Sequence, residues 1–395
     1  MKKQKSNYEL LAPAGDFSML AAAINAGADA VYLGLKEFSM RQNAGNFTLK
    51  ELEKVHEICK KAKVKVYLTL NIIIYDNEIK KIEEIIKKVK NKVDAVICWD
   101  LAVIELCKKY KIPFFVSTQA SVSNIESAKF YKKLGAKRII LARELNLKQI
   151  REISKIIDIE CFCHGAMCVS VSGRCFTSQF LFNKSANRGE CLHPCRRTYS
   201  VKDNEGNELK IDNNRMFSAK DLCTLHFIEQ MKSAGITLFK IEGRNRDARY
   251  VDMVVRIYRK ALDKKLNKKE IGESLERLKT IYNKGFSSGF YLKMPTSDDF
   301  SKTEHSSSKE KKHFVGKITN YFPKIQVAAI KLVSELKVGD KISVIGKTTG
   351  ITHSKIERIE INNKSVEKAV KNQEIGIKLP LVRKNDEVYV IKKSL

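Results

Sequence analysis

No apolar run in this 395-residue chain approaches the roughly 20 residues that a membrane-crossing helix requires. The basic stretch 1–7 has no apolar core of the kind a secretory signal carries. A cytoplasmic location without a membrane partner is therefore expected. The chain also lacks a His-Glu-x-x-His motif, since His56-Glu57 stands alone, and this removes the best-known zinc-peptidase signature. Acidic residues are scarce: 45 Asp and Glu face 74 Lys and Arg, a net charge of +29. Part of that excess is a solvated surface, with Lys80, Lys81, Lys87 and Lys88 on an evident helix face. The remainder suits a polyanionic partner, most simply RNA, held by phosphate contacts and counterion release.

What is present is a rhythm. Short apolar runs at residues 8–12, 30–33, 65–70, 94–98, 113–117, 138–142, 159–163 and 237–242 read as eight strands. Amphipathic helical patterns lie between them, at 17–28, 51–61, 78–90 and 101–111 among others. Continuous apolar strands joined by helices are the pattern of a buried parallel sheet. Eight such units within about 250 residues predict an α/β fold, a TIM-like (β/α)8 barrel over 1–295. An open doubly wound sheet is the competing arrangement. The rhythm breaks at 165–214, a long insertion rich in Cys, Gly, Asn, Ser and Arg. Insertions at the carboxyl end of a barrel strand are where function collects. Residues 296–313 read as a linker. Beyond it, short alternating strands at 315–318, 325–332, 341–345, 356–361 and 387–391 predict a small β-barrel over 314–395. Residues 314–395 carry 16 Lys and Arg against 8 Asp and Glu, a net +8, as an RNA-binding module would.

The ten cysteines are not expected to form disulfides in a reducing compartment. Cys59, Cys98 and Cys107 sit in apolar segments and read as core residues. Six more crowd between Cys161 and Cys195. Among them Cys168, Cys175, Cys191 and Cys195 place four thiols on one loop-rich segment. Soft thiolates select zinc, iron–sulfur or copper(I). Structural zinc more often shows two tight C-x2-C knuckles, and the wider spacing here suits an iron–sulfur cluster, which also takes four cysteines. Zinc remains the alternative metal, unmetallated core or redox thiols a further one, and Cys223 competes with Cys195 as fourth ligand.

The segment Glu160-x-Phe162-x2-Gly165-Ala166-Met167-Cys168-x4-Gly173-x-Cys175-x2-Ser178 resembles the signature of the peptidase U32 (collagenase-like) family. Thr177 departs from it, standing where an aliphatic residue is usual. The opening Leu11-Ala12-Pro13-Ala14-Gly15, the blocks Ser218-Ala219-Lys220-Asp221-Leu222 and Lys240-Ile241-Glu242-Gly243-Arg244, and Asn283-Lys284-Gly285-Phe286-Ser287-Ser288-Gly289 extend the resemblance over nearly the whole chain. The resemblance implies a C-terminal domain similar to domain two of translation elongation factors. It also implies several chemistries. Some members are called collagenases or peptidases. Others are needed to hydroxylate uridine in the tRNA anticodon or cytidine in rRNA, with prephenate implicated. Still others are iron–sulfur proteins of ubiquinone hydroxylation. Some work as pairs of paralogues, so a paralogous partner subunit is a further expectation.

Three readings follow. A peptidase needs a nucleophile. The formal Gly-x-Ser-x-Gly at Gly285–Gly289 follows a helix pattern rather than a strand, unlike a nucleophile elbow. A Cys–His pair would have to draw on His164 or His193 with Cys163, Cys168 or Cys191. An RNA-hydroxylating enzyme, acting on uridine at the tRNA wobble position, accounts for cysteines, charge and the second domain together. On that reading a [4Fe-4S] cluster sits on the four cysteines. Arg143, Glu160, Lys240, Glu242 and Arg244 gather at the carboxyl ends of the strands, with Glu242 or Glu160 as general base. Lys240 and Arg244 hold a carboxylate-bearing donor such as prephenate. An RNA-binding scaffold with a structural metal is the third. For each charged residue taken singly, an ordinary salt bridge is an equally good account.

Overall fold

The computed structural model describes residues 7–42, 44–209, 217–303 and 306–394. Positions 1–6 of the basic amino terminus, 210–214 of the insertion, 304 and 305 of the linker, and Leu395 lie outside the described residues.

Seven parallel strands follow one another in chain order: β1 (Glu9–Pro13), β2 (Ala30–Gly34), β3 (Lys65–Thr69), β4 (Ala95–Cys98), β5 (Phe114–Val116), β6 (Arg138–Ile140) and β7 (Ile159–Gly165). The eighth barrel strand, Leu238–Ile241, pairs with both β7 and β1 and so closes the sheet. The register Leu238↔Glu160 on one side and Glu9↔Leu238 on the other rules out the open doubly wound alternative. Each strand is apolar on both faces because one face fills the barrel and the other meets a helix. All five residues of β2 are buried.

Helix starts are written into the sequence. Asp16 caps the helix Phe17–Ala26 by accepting from the Met19 N–H at 2.8 Å. Thr48 and Glu51 form a reciprocal capping box on Leu49–Ala62, satisfying donors that a helix leaves open. No helix among the described residues is long and apolar enough to cross a membrane.

The C-terminal region corrects the expectation of a β-barrel. Its large sheet has eight strands in the order Gly350–Lys355, Lys341–Gly346, Glu387–Lys393, Glu310–Phe322, Val327–Leu332, Glu374–Lys378, Ile359–Ile361 and Lys364–Val366. The first and last of these do not pair, so the sheet stays open. A cleft of about 670 Å³, lined among others by Val327, Lys355, Glu357, Arg358, Glu360 and Lys378, lies where closure would be needed. One reason is the intervening chain: Ile359–Ile361 meets its neighbour at the single register position Glu360↔Gly376. Another is that Ile351, on the edge strand, belongs to the core of the (β/α)8 barrel, with Ile345 packed against it. The Asn25 side chain donates to the Thr349 carbonyl at 3.3 Å across the same junction. The strand Glu310–Phe322 also begins inside the segment 296–313 that reads as linker in sequence.

Candidate functional site

The insertion leaves β7 at Gly165, where the backbone passes so close to the eighth strand's exit that a Cβ would stand 2.4 Å from the Glu242 carbonyl oxygen. Only glycine also accepts the φ of +110° found there. From that point the chain forms short turns rather than long elements. The helix Thr177–Phe182 and the helical turns Ala186–Arg188 and Pro194–Arg196 are examples. Arg188 clamps the insertion to the barrel by donating to the Ile73 carbonyl at 2.5 Å and to Glu78 at 2.7 Å.

Cys168, Cys175, Cys191 and Cys195 line one cavity of about 630 Å³ over the carboxyl ends of the strands. These four are half-buried, whereas Cys59, Cys98, Cys107, Cys161, Cys163 and Cys223 are buried. Burial pushes the Cys195 thiol up to about 11; Arg196 pulls it down, and Cys168, Cys191 and Cys175 push it further up. The other three sulfurs are thus within electrostatic reach of Cys195. Cys175 behaves oppositely. Burial raises it, but hydrogen bonds with the Ser170 and Thr177 hydroxyls and the Thr177 N–H together bring it below the ordinary thiol range. The Thr177 oxygen lies 3.1 Å from that sulfur and its nitrogen 3.4 Å. Thr177, the departure from the family pattern, is therefore a sulfur-binding residue here. Ser178 tethers the next cysteine, accepting from the Leu192 N–H at 3.1 Å while its hydroxyl faces the Cys191 sulfur at 4.0 Å. Cys223 is elsewhere. It sits on the short strand Asp221–Cys223, 3.7 Å from the Tyr258 hydroxyl, and lines a different cavity. Among the described residues no three His, Cys, Asp or Glu side chains stand close enough to hold a metal ion.

Arg41, Arg143 and Arg196 line the same cavity. Arg196 is anchored by donating to the Met167 and Ala219 carbonyls at 2.8 and 2.9 Å. Arg143 donates to the Ala166 carbonyl at 3.1 Å and stacks on Phe162, 4.9 Å from its centroid. Arg41 faces Glu242 at 3.4 Å. Burial would raise the Glu242 carboxyl, but Arg41, Arg244, Arg143 and Lys240 together hold it below the usual range, and it stays ionised. Partial burial and the nearby Arg41, Arg196 and Arg246 cations lower His193. Arg244 is drawn inward, donating to the Ser39 and Thr69 hydroxyls at 2.8 and 3.1 Å; burial lowers its guanidinium to about 10.

The expected gathering of Arg143, Glu160, Lys240, Glu242 and Arg244 at one rim is corrected in part. Arg143, Glu242 and Arg244 follow the carboxyl ends of their strands. Glu160 is the second residue of β7, at the amino-terminal end, and is fully buried. It accepts from Arg138 at 3.0 Å and from Lys240 at 2.9 Å. Lys240, third in its strand, spends its charge on that pair and stacks on Tyr32, 4.4 Å from the centroid. Neither reaches the cavity.

Arg41 was missed in sequence. It comes from residues 35–48, an unusually long polar connection between β2 and the helix Leu49–Ala62, and such length at a strand's carboxyl end is itself a signal. This loop is held against the insertion where Gln42 N–H donates to the Gly189 carbonyl at 3.1 Å.

Peptidase constellations fare poorly. Ser287 lies in a separate cavity with Cys223 and His226, and its hydroxyl accepts from the Gly289 N–H at 3.3 Å. A serine–histidine hydrogen bond occurs at Ser343–His353, 2.8 Å, but Ser343 is fully buried in the C-terminal sheet. His164 is sealed between Tyr250, Tyr258 and Phe286.

The model for peptidase family U32 matches residues 15–301. An uncharacterized protease of Methanocaldococcus jannaschii is 41% identical over 98% of this chain and 99% of its own length. A collagenase of Porphyromonas gingivalis is 40% identical over the same shares. The tRNA hydroxylation protein P1 of Bacillus subtilis is 34% identical over 88% of this chain and 85% of its own. The chain belongs to peptidase family U32, an enzyme family whose members here carry both protease and RNA-modification names.

Proposed function

We propose that this U32 chain supports hydroxylation of an RNA pyrimidine, with uridine of the tRNA anticodon as target, in the cavity over the barrel mouth. One observation carries the reading: four half-buried thiols share that cavity with Arg41, Arg143 and Arg196. The thiols suit an iron–sulfur centre, and the cations suit a phosphate-bearing substrate. Zinc remains the alternative metal for the same four thiols. A polynuclear cluster holds its cysteines farther apart, and the hydrogen bonds on the Cys175 sulfur are of the kind that tune cluster thiolates. Such a cluster would supply electron transfer. The chain's own contribution is to keep Glu242 ionised beside Arg41, available as a proton acceptor, and to roof the site with the insertion.

A collagenase-like peptidase is the second reading. It is favoured by the relatives at 41% and 40% identity, which bear protease names, over the 34% of the tRNA relative. Against it stands the absence, among the described residues lining the cavity, of any hydrogen bond from His193 to a thiol or hydroxyl.

Nucleoside mass spectrometry decides between them. 5-Hydroxyuridine and its derivatives should fall in tRNA of a deletion strain and stay low when Cys168→Ser is supplied. Unchanged tRNA with loss of rRNA hydroxycytidine would keep the reaction and change the substrate. If neither RNA changes and the purified variant still digests gelatin, the peptidase reading replaces this one.

A further inference from the structure

A second cavity, of about 590 Å³, opens between the barrel and the C-terminal domain. Its walls are the loop and helix start Asn245 to Tyr250, then Tyr282 with Ser306 and Ser308, and the first residues of the strand Glu310–Phe322. The charges there are unequal. Arg246, Arg249, Lys311 and Lys312 face Asp247 and Glu310, with His313 beside them. Two cations are already spent: Arg249 pairs with Glu310, and Lys312 with Asp247 at 2.6 Å. Arg246 and Lys311 form no ion pair within 4 Å of a carboxylate among the described residues. Arg246 instead lies flat on Tyr282, 3.5 Å from the ring centroid. Stacking of this kind uses the face of a guanidinium and leaves its in-plane N–H fork for an anion.

Arg246 also ties this cavity to the thiol-lined one. It follows Glu242, which faces Arg41 of the thiol-lined cavity at 3.4 Å, on the same strand-exit loop, where its N–H donates to the Gly243 carbonyl at 2.9 Å. One guanidinium thus stands between a cavity sized for a base and a cationic notch leading onto the C-terminal domain.

We propose that this interdomain cavity, through Arg246 and Lys311, binds a backbone phosphate of single-stranded RNA next to the nucleotide held in the thiol-lined cavity. The inference rests on the RNA reading of that cavity and adds the direction of the strand: from the barrel mouth, over Arg246, onto the strand Glu310–Phe322. It also gives the C-terminal domain a specific task, a defined phosphate contact in place of a diffuse positive field.

The test is binding of a fluorescent anticodon stem-loop to the full chain across a range of KCl. Lys311→Glu changes an exposed side chain and should not disturb folding. It should weaken binding on the order of tenfold at low salt and flatten the plot of log K against log salt by about 0.7, one phosphate contact on a single strand. Lys364→Glu, an exposed lysine outside this cavity, should change affinity less than about twofold. Equal losses in the two variants would mean a general field and overturn the site. So would an unchanged Lys311→Glu, or displacement of the stem-loop by a mononucleotide alone. If the wild-type chain binds no RNA at all, the RNA reading itself falls; if it binds but Lys311→Glu binds equally, that reading stands and only this site falls.

Discussion

The two ends of the barrel are built on opposite principles. At the amino-terminal end, Glu160 takes Arg138 and Lys240. Arg138 also reaches Glu9 at 2.9 Å and stacks on Phe115, 4.2 Å from its centroid. Glu9 in turn accepts from Lys65 at 2.9 Å and Tyr67 at 2.8 Å. Every charge in that set is paired. At the carboxyl end, Glu144 Oε2, Asp221 Oδ1 and Asn46 Oδ1 are buried with no hydrogen-bond partner among the described residues. Four thiols and three arginines face an open cavity there, and large apolar side chains stand in solvent. Satisfied polar groups hold a fold together; unsatisfied ones are retained where something is to be bound.

The sharpest way to break this contrast is Glu160→Ala. It strands Lys240 in the barrel interior and leaves Arg138 with Glu9 alone, and removing one partner of a buried ionic set costs about 3–5 kcal/mol. Urea unfolding measures it. A loss below about 1 kcal/mol would mean that the amino-terminal network is not structural.

Gly189→Ala comes next, with an effect of about 1–3 kcal/mol confined to the mouth. Gly189 has φ +96°, and a Cβ there would stand 2.2 Å from the Ser39 carbonyl oxygen. Since this contact seats the insertion on the loop that carries Arg41, hydrogen exchange should quicken at 36–46 and 175–195. On the RNA reading, modification should drop while the barrel core stays protected. Uniform destabilisation would show instead that insertion and barrel unfold as one unit.

Acid separates the ends by pH window. His164 is held down to about 3 by burial and by Arg246, against an unfolded value near 6.5. The folded state favours the neutral ring, so its contribution is complete above about 6.5 and is lost as pH falls. The slope is roughly 1.4 kcal/mol per pH unit for one histidine. Glu9 is lowered: burial raises it, but Arg138 and Lys65 prevail. Its contribution is present above the ordinary carboxylate value and is lost below it. Stability should therefore decline first between about pH 6.5 and 4.5 from the histidine side, then more steeply. His164→Asn should reduce the slope of the first phase, to which the lowered His193 also contributes, and leave the second; a profile unmoved by it would remove His164 as a source.

How much of this was legible in sequence follows from the same two ends. The eight strands could be read because apolar runs are forced by burial on both faces, and their boundaries came within a few residues. That Cys168, Cys175, Cys191 and Cys195 lie together on the insertion could be read, because they have no core pattern around them; they line one cavity. Glu160 and Lys240 misled, because a charged residue inside an apolar run marks burial with a partner without saying at which end of the barrel it lies. β7 runs on to Gly165, which leaves Glu160 at its start. The open C-terminal sheet was out of reach, since closure depends on which edges meet, and no alternation pattern records that.

The smallest expected effect on stability is also the most informative. Phe180 is 85% exposed, its ring 6.3 Å from that of Phe176 and tilted by 55°, on the rim of the thiol-lined cavity. An exposed ring contributes little to folding, so Phe180→Ala should shift unfolding by no more than about 0.5 kcal/mol. Phe115, at the opposite end, is buried under Arg138, and Phe115→Ala should cost about 3–5 kcal/mol. Ligand affinity should invert that order. If bases of a single strand stack on the rim, losing Phe180 removes about 1–3 kcal/mol of RNA binding, whereas a refolded Phe115→Ala protein binds as wild type does. The pair thus separates a ring kept for packing from one kept for a substrate. Should Phe180→Ala bind a stem-loop unchanged, the exposed rim has no part in holding RNA, and the thiol-lined cavity must recognise its substrate through the arginines alone.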